Sequence, residues 1–412
     1  MQTTLNIKSS TAYIFALALT VNLHLLRNLS PLYLIVLAVL FGIGIFQFPF
    51  KLYLNRNNFV SYIVIAFFLC LIYTFSISFK YISLSELASG TPRLFITPLM
   101  CLIISMFVKN DDEFKVLINL FIVITLISCL TVFYQVAYGK ISWFTGRGFR
   151  GGLERYSSLQ GSLTILGITS VQALNILVLS NFSQIKKIIF SIICLLGAIF
   201  SLQKAAAASV VFVLFFIFYR SKNKFRYVLS FLFLLYSILT LFAFLPDDNV
   251  ISLYSNAILL NSFGFEINPS DSIISDSPPI SYQILMDRVL EYLYPYFNNY
   301  GFYNILIFGL GLKGGGSGMG VLGDQPHNSL YDLLLMGGAI FIIVGLCLVI
   351  FTINYFIKKD GYLNKIFLYN NILLLINLPF TSAGFFHPNI SYIFWLSIAY
   401  IIFKAKKSII SS

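Results

Sequence analysis

Charge is scarce in this chain: Asp, Glu, Lys and Arg make up 10% of its 412 residues, while 58% are hydrophobic. A water-soluble core of this size needs far more polar surface than so few charges provide. Cysteine is sparse as well. The five, Cys70, Cys101, Cys129, Cys194 and Cys347, form no C-x-x-C pair and all fall inside long apolar runs. That excludes a disulfide framework and a thiolate metal site. No H-E-x-x-H, D-x-D or G-x-S-x-G occurs either, so zinc-protease and serine-nucleophile chemistry have no support.

What the chain does have is a series of apolar runs of roughly 15–29 residues, matching the hydrocarbon thickness of a bilayer. They predict an all-α polytopic membrane protein, one integral membrane domain over residues 1–412. About twelve spans are expected, at 11–26, 31–50, 59–78, 94–108, 116–138, 160–180, 187–202, 205–219, 227–245, 329–357, 366–383 and 389–403. Residues 187–219 are too long for one span and short for two, which leaves either a tight hairpin at SLQK or a re-entrant break. The first run lacks an A-x-A-like cleavage site and is expected to stay as a helix. No internal repeat of the inverted-repeat transporter kind is visible.

The net charge of +12 then reads as topology. With both termini on the cytoplasmic side, the cytoplasmic loops hold 17 of the 27 basic residues but only four of the 15 acids, Asp111, Asp112, Glu113 and Asp360. The outer side keeps ten basic and eleven acidic residues. This is a positive-inside signature. No Lys/Arg cluster interleaved with aromatics sits on a soluble surface, so nucleic acid is excluded as a partner.

Two outer-face loops stand out, residues 139–159 and the much larger 246–328. Within the second, MDRVLEYLYPYFNNYGFYNILIFGLG predicts one or two short interfacial helices. Their tyrosines suit the headgroup region, with stacking against sugar faces as the sharper alternative. In the first loop Arg147, Arg150 and Arg155 alternate with Gly146, Gly148, Gly151 and Gly152. Glycines let backbone N–H groups converge as an anion nest, and guanidinium groups clamp phosphate oxygens bidentately. A solvated loop touching anionic headgroups is the plainer reading. Arg288 in the large loop, and Arg93 at the outer end of the fourth span, extend the set.

His24 and His387 read as structural. His327 differs, because a Gly-rich segment precedes it and Asn328 follows it where a helix begins. A neutral imidazole there suits a general base for a hydroxyl nucleophile. Gly309 to Gly314 spells G-x-G-x-x-G, but with no βαβ context it is not a dinucleotide site.

At HNSLYDLLLMGG, preceded by Arg288 and GFYNILIFGLG, the sequence resembles the bacterial O-antigen polymerase (Wzy) and O-antigen ligase (WaaL) family, closer to the polymerases. SLQKAAAASVV resembles the family's S-R-small segment with Lys204 in place of arginine. Arg150 and Gly161 match its R-x10-G spacing, whereas Arg288 and Gly301 do not. The resemblance covers topology over most of the chain, and specific residues only in about 140–162 and 286–338.

The resemblance implies a GT-C-like architecture and a periplasmic active site in the bacterial inner membrane. It implies metal-independent and cofactor-free joining of oligosaccharide units carried on undecaprenyl pyrophosphate. Donor and acceptor are both lipid-linked, membrane lipid surrounds them, and a chain-length regulator protein is an expected partner. His327 and Arg288 would be catalytic. Arg147, Arg150, Arg155 and Arg93 would hold the pyrophosphate, and Asn328, Asp324 and Lys204 would support them. Asn328 would either orient the imidazole or cap the helix, and Asp332 is either a partner to His327 or a first-turn acid. The rivals are an O-antigen ligase, a lipid-linked glycan flippase, which would need charge at mid-bilayer, and a peptidoglycan glycosyltransferase.

Overall fold

The computed structural model describes residues 7–23, 32–46, 59–141, 144, 147–150, 153–161, 163–201, 203–220, 293–314, 328–381 and 384–411. The expected span at 227–245 lies outside them. Among the described residues the structure is helical apart from one small hairpin, and the chain divides into two compact units, Met1–Ile124 with Arg288–Ser412, and Thr125–Asp287. Among the described residues four helices are long and apolar enough to cross a membrane: Phe59–Ser78, Leu84–Phe107, Asp111–Tyr138 and Ser329–Ile357. This is a helical membrane protein.

The first unit contains α1 (Ile7–Asn22), α2 (Leu32–Phe46), α3 (Phe59–Ser78), α4 (Leu84–Phe107) and the start of α5 (Asp111–Tyr138). It resumes with the short helices α9 (293–300) and α10 (Phe302–Phe308) and a 3-10 turn at Gly311–Gly314. It ends with α11 (Ser329–Ile357), α12 (Tyr362–Asn377) and α13 (Tyr392–Ser411). Aromatic rings fill its middle. Phe67 of α3 lies 5.3 Å from Phe341, 5.4 Å from Trp395 and 6.0 Å from Phe385, centroid to centroid. The buried indole N–H of Trp395 donates to the Phe385 carbonyl at 2.8 Å, which removes the cost of placing it there.

The helix starts correct two expectations. Ser83 and Glu86 form a reciprocal capping box, so α4 begins at Leu84, ten residues before the apolar run at 94. Arg93 therefore belongs to the third turn of α4, not to its end. The aromatic segment also divides. Tyr294 and Tyr303 are exposed, but Tyr296 is wholly buried in a cluster with Leu293, Ile305, Leu310, Leu334 and Leu335. Tyr296 is core, not a headgroup anchor.

Expected as one unbroken span, α11 is interrupted at Gly337 (φ −141°, ψ 16°) and Gly338 (φ 73°, ψ −170°). The chain of α10 and its 3-10 turn crosses there at backbone contact. A Cβ at Gly309 would stand 2.6 Å from the nitrogen of Gly337, and one at Gly338 would stand 2.6 Å from the Ile307 carbonyl oxygen. The Leu310 N–H donates to the Leu335 carbonyl at 2.6 Å, satisfying a group near the interruption. The Leu312 N–H is bonded by the Ser78 hydroxyl at the end of α3. The nineteen residues from 339 to 357 rise about 28 Å, close to a bilayer core on their own.

The two ends of this unit differ in charge. One gathers Lys109, Lys115, Lys358, Lys359, Lys365, Lys404, Lys406 and Lys407 with the acids Asp111, Asp112, Glu113 and Asp360. It is tied by Lys404–Asp111 (2.8 Å), by Lys406 to the Met106 carbonyl (3.3 Å) and by Thr11 to Glu113 (2.9 Å). The opposite end, where α3 stops and α11 starts, carries Lys80, Glu86, Lys313, Asp332 and His387.

In the second unit the latter part of α5 is followed by β1 (Arg147–Arg150) and β2 (Leu153–Tyr156), then α6 (Leu163–Leu179), α7 (Gln184–Phe200) and α8 (Lys204–Arg220). Residues 187–219 thus form two helices with a break at 201–203. Cys129, Val132 and Leu166 form its apolar centre. All five cysteines are free thiols.

If the close approach at α11 holds the first unit together, Gly338→Ala should destabilise by roughly 2 kcal/mol or more, since it meets both steric contact and positive φ. Gly42→Ala, with nothing within 4 Å of its Cβ, should not. Thermal loss of helicity in detergent micelles measures both; equal midpoints would contradict the role of the crossing.

Candidate functional site

The start of α11 is built by its own cap. Asn328 is extended, and its Oδ1 accepts from the N–H groups of Leu330 (2.9 Å) and Tyr331 (3.3 Å). Two of the orphan donors of the first turn are thereby satisfied. Asn328 caps the helix. His327 precedes it in the chain and, like Arg288 and Asp324, lies outside the described residues.

Asp332 sits one turn into the helix, only 1% exposed, with its N–H on the Asn328 carbonyl at 3.1 Å. A carboxylate in the first turn complements the positive helix end. The Ser329 hydroxyl donates to the Thr381 carbonyl and accepts the Gly384 N–H (2.8 Å), which ties this start to the turn before α13. That turn carries His387, half-buried, whose Nδ1 faces the Asn389 N–H at 3.4 Å. The His387 carbonyl accepts from the N–H and the hydroxyl of Ser391. The sequence reading set His387 aside as structural; it lies at the same end of the unit as the α11 start. Only its place before Pro388, in a short turn, marked it in the sequence.

Arg147, Arg150 and Arg155 come together on the hairpin of the second unit. The strands pair Arg147 with Tyr156, Gly148 with Arg155, Phe149 with Glu154 and Arg150 with Leu153. Arg147–Arg150 are thus extended in a β-ladder, while Gly146, Gly151 and Gly152 of the expected nest lie outside the described residues. The overlooked signal was Gly151-Gly152 between two period-two segments, a hairpin pattern. Alternation along the strands puts Arg150 and Arg155 on one face as diagonal neighbours, and Arg147 on the other.

The end of the hairpin is pinned by buried amides that the sequence reading did not single out. Gln135 Nε2 donates to the Ser157 carbonyl (2.8 Å), and Gln160 bridges Thr125 (3.1 Å) and Thr169 (2.8 Å). Gly161, with φ 112°, closes a tight turn by two backbone bonds to Ser158, whose hydroxyl also donates to the Gly161 carbonyl. Its conformation is one that only glycine adopts cheaply. Lys204 is the first residue of α8. No group of three or more His, Cys, Asp or Glu able to hold a metal occurs among the described residues. No family model matches the chain, and no curated protein matches it.

Removing the cap separates structure from chemistry at α11. Asn328→Ala should cost about 1 kcal/mol of stability, whereas Asn328→Asp or Asn328→Ser should stay within a few tenths, because either side chain caps. Chemical unfolding of the three variants in the same detergent checks this, and an equal loss in all three would remove the cap as the reason for asparagine.

Proposed function

We propose that the chain is a membrane glycosyltransferase that joins oligosaccharide units carried on undecaprenyl pyrophosphate, an O-antigen polymerase. On this reading about twelve spans lie in the bacterial inner membrane, both termini face the cytoplasm, and the reaction runs at the periplasmic face. The observation that supports it is the Asn328-capped start of α11, at the end of the first unit remote from the lysine-rich end; in the sequence the residue before that cap is the candidate base His327.

The chemistry divides between two kinds of group. His327 takes the proton of the acceptor sugar hydroxyl as that oxygen bonds to the anomeric carbon of the donor. The bond from that carbon to the pyrophosphate breaks, and the electron pair leaves on phosphate oxygen. Guanidinium groups stabilise that charge, with Arg288 at the reacting phosphate. Of the hairpin arginines, Arg150 and Arg155 share the face from which a bidentate clamp is built. A chain-length regulator remains an expected partner.

The test is purified protein with a synthetic pyrophosphate-linked repeat unit, assayed with and without a chelator. Product should form in both, and His327→Ala and Arg288→Ala should abolish it while leaving membrane insertion intact. Long products from both variants would remove the mechanism. Deleting the gene separates polymerase from ligase: the first loss leaves one repeat unit on lipopolysaccharide, and the second leaves none. Arg150→Lys and Arg155→Lys should each lower the rate by about tenfold or more, since a point charge does not replace the guanidinium fork. Arg147→Lys, on the other face, should be milder. Equal losses from all three would show that strand register does not sort the arginines.

A further inference from the structure

The lysine-rich end of the first unit holds a cleft of about 620 Å³ that the proposed reaction leaves unused. Lys115 from α5, Lys359 after α11 and Lys404 from α13 converge on it, together with Tyr355 and Tyr400. Of its two carboxylates, Asp111 is taken by Lys404 at 2.8 Å and faced by the Tyr400 hydroxyl at 3.4 Å. Asp360 is fully exposed and faces Lys365 at 3.7 Å. Lys115 reaches only the exposed Asp112, a pair that water screens heavily.

Among the described residues Lys359 has no carboxylate partner. Its ammonium donates to the Tyr355 hydroxyl at 2.7 Å and stands 3.9 Å from the centre of that ring. Such an arrangement holds the cation in place without neutralising it. Among the described residues the cleft therefore keeps one ammonium with no acidic partner and a second only loosely engaged. Those are the requirements for a phosphate-bearing ligand.

The surroundings identify which one. Along α11 an exposed apolar stripe, Ile340, Ile343, Ile350 and Ile357, ends one residue before Lys358. Along α5 the cleft-lining Lys115 has the exposed Val116 beside it and the exposed Val123 two turns further along. Exposed apolar side chains on α5 and α11 thus lead towards the lysine-rich end that holds the cleft, and the cleft is flanked by tyrosines, which sit well at headgroup depth. A soluble phosphate would make no use of those stripes. We propose that this cleft binds the phosphate headgroup of an anionic phospholipid, with its acyl chains along the outer faces of α5 and α11. Basic pockets between membrane helices are suited to such headgroups.

Delipidated full-length protein, titrated with phosphatidylglycerol and read by native mass spectrometry, tests this. One lipid should be retained, phosphatidylcholine should not, and inorganic phosphate should not displace it. Lys115→Gln and Lys359→Gln should each weaken retention by about fivefold, as loss of one surface lysine implies. Lys80→Gln, at the opposite end of the 24-residue α4, should leave it unchanged. Lys359 is exposed and bonds only Tyr355 through its side chain, so its variant keeps the test valid if the other fails to fold. Unchanged retention in Lys359→Gln, equal retention of phosphatidylcholine, or displacement by inorganic phosphate would each overturn the assignment.

Discussion

A backbone inside an apolar medium has to satisfy its own hydrogen bonds, and the first unit is organised around the place where a helix stops doing so. At Gly337 and Gly338 the ladder of α11 is interrupted, and the answer comes from another segment. The Leu310 N–H meets the Leu335 carbonyl, while the chain of Gly309 lies directly against Met336 and Gly337. Gly309 and Gly338 are needed because the two backbones approach more closely there than a Cβ permits, while a Cβ at Gly337 would meet the Phe341 side chain. The same crossing locks the 3-10 turn onto Ser78 of α3. One irregularity thus joins α3, α10 and α11, and it leaves the first eight residues of α11 as a short helix of its own.

That short helix accounts for the division of labour in the proposed reaction. A free helix N-terminus is a ready anion site, because its first N–H groups point outward and the dipole favours negative charge. Here Asn328 has already consumed the N–H groups of Leu330 and Tyr331, and Asp332 places a carboxyl group in the same turn. Little remains to hold a departing pyrophosphate. On the proposed mechanism the negative charge falls to arginine side chains, and the α11 start is left to position a base.

How much of this was legible in the sequence depends on the kind of signal. The apolar runs located most helices within a few residues because length and hydropathy are imposed by the bilayer itself. The start of α4 differs from the expected one because its signal is a Ser83–Glu86 box lying eight to eleven residues ahead of the apolar run. The interruption of α11 was visible only as a glycine pair, and a glycine pair does not reveal what crosses it. At the arginine loop the charges are the conspicuous feature of the sequence, but the strand pairing follows the period-two segments on either side of Gly151-Gly152. Buried Gln135 and Gln160 carried no mark in the sequence, since only the folded contacts show that they pin the hairpin.

The charge asymmetry connects these local features to the membrane. A positive-inside chain needs its lysines at one face, yet α5, α11 and α13 bring them close enough to repel one another. Asp111 offsets part of this by bonding Lys404, and Asp112 does the same for Lys115 at the exposed margin. Lys359 is left with a phenol and a ring face, which orient it but cancel no charge. Among the described residues nothing of opposite charge bonds it, and on the proposed assignment an anionic headgroup does so. The topology signal and the proposed lipid site are then two consequences of one arrangement of lysines.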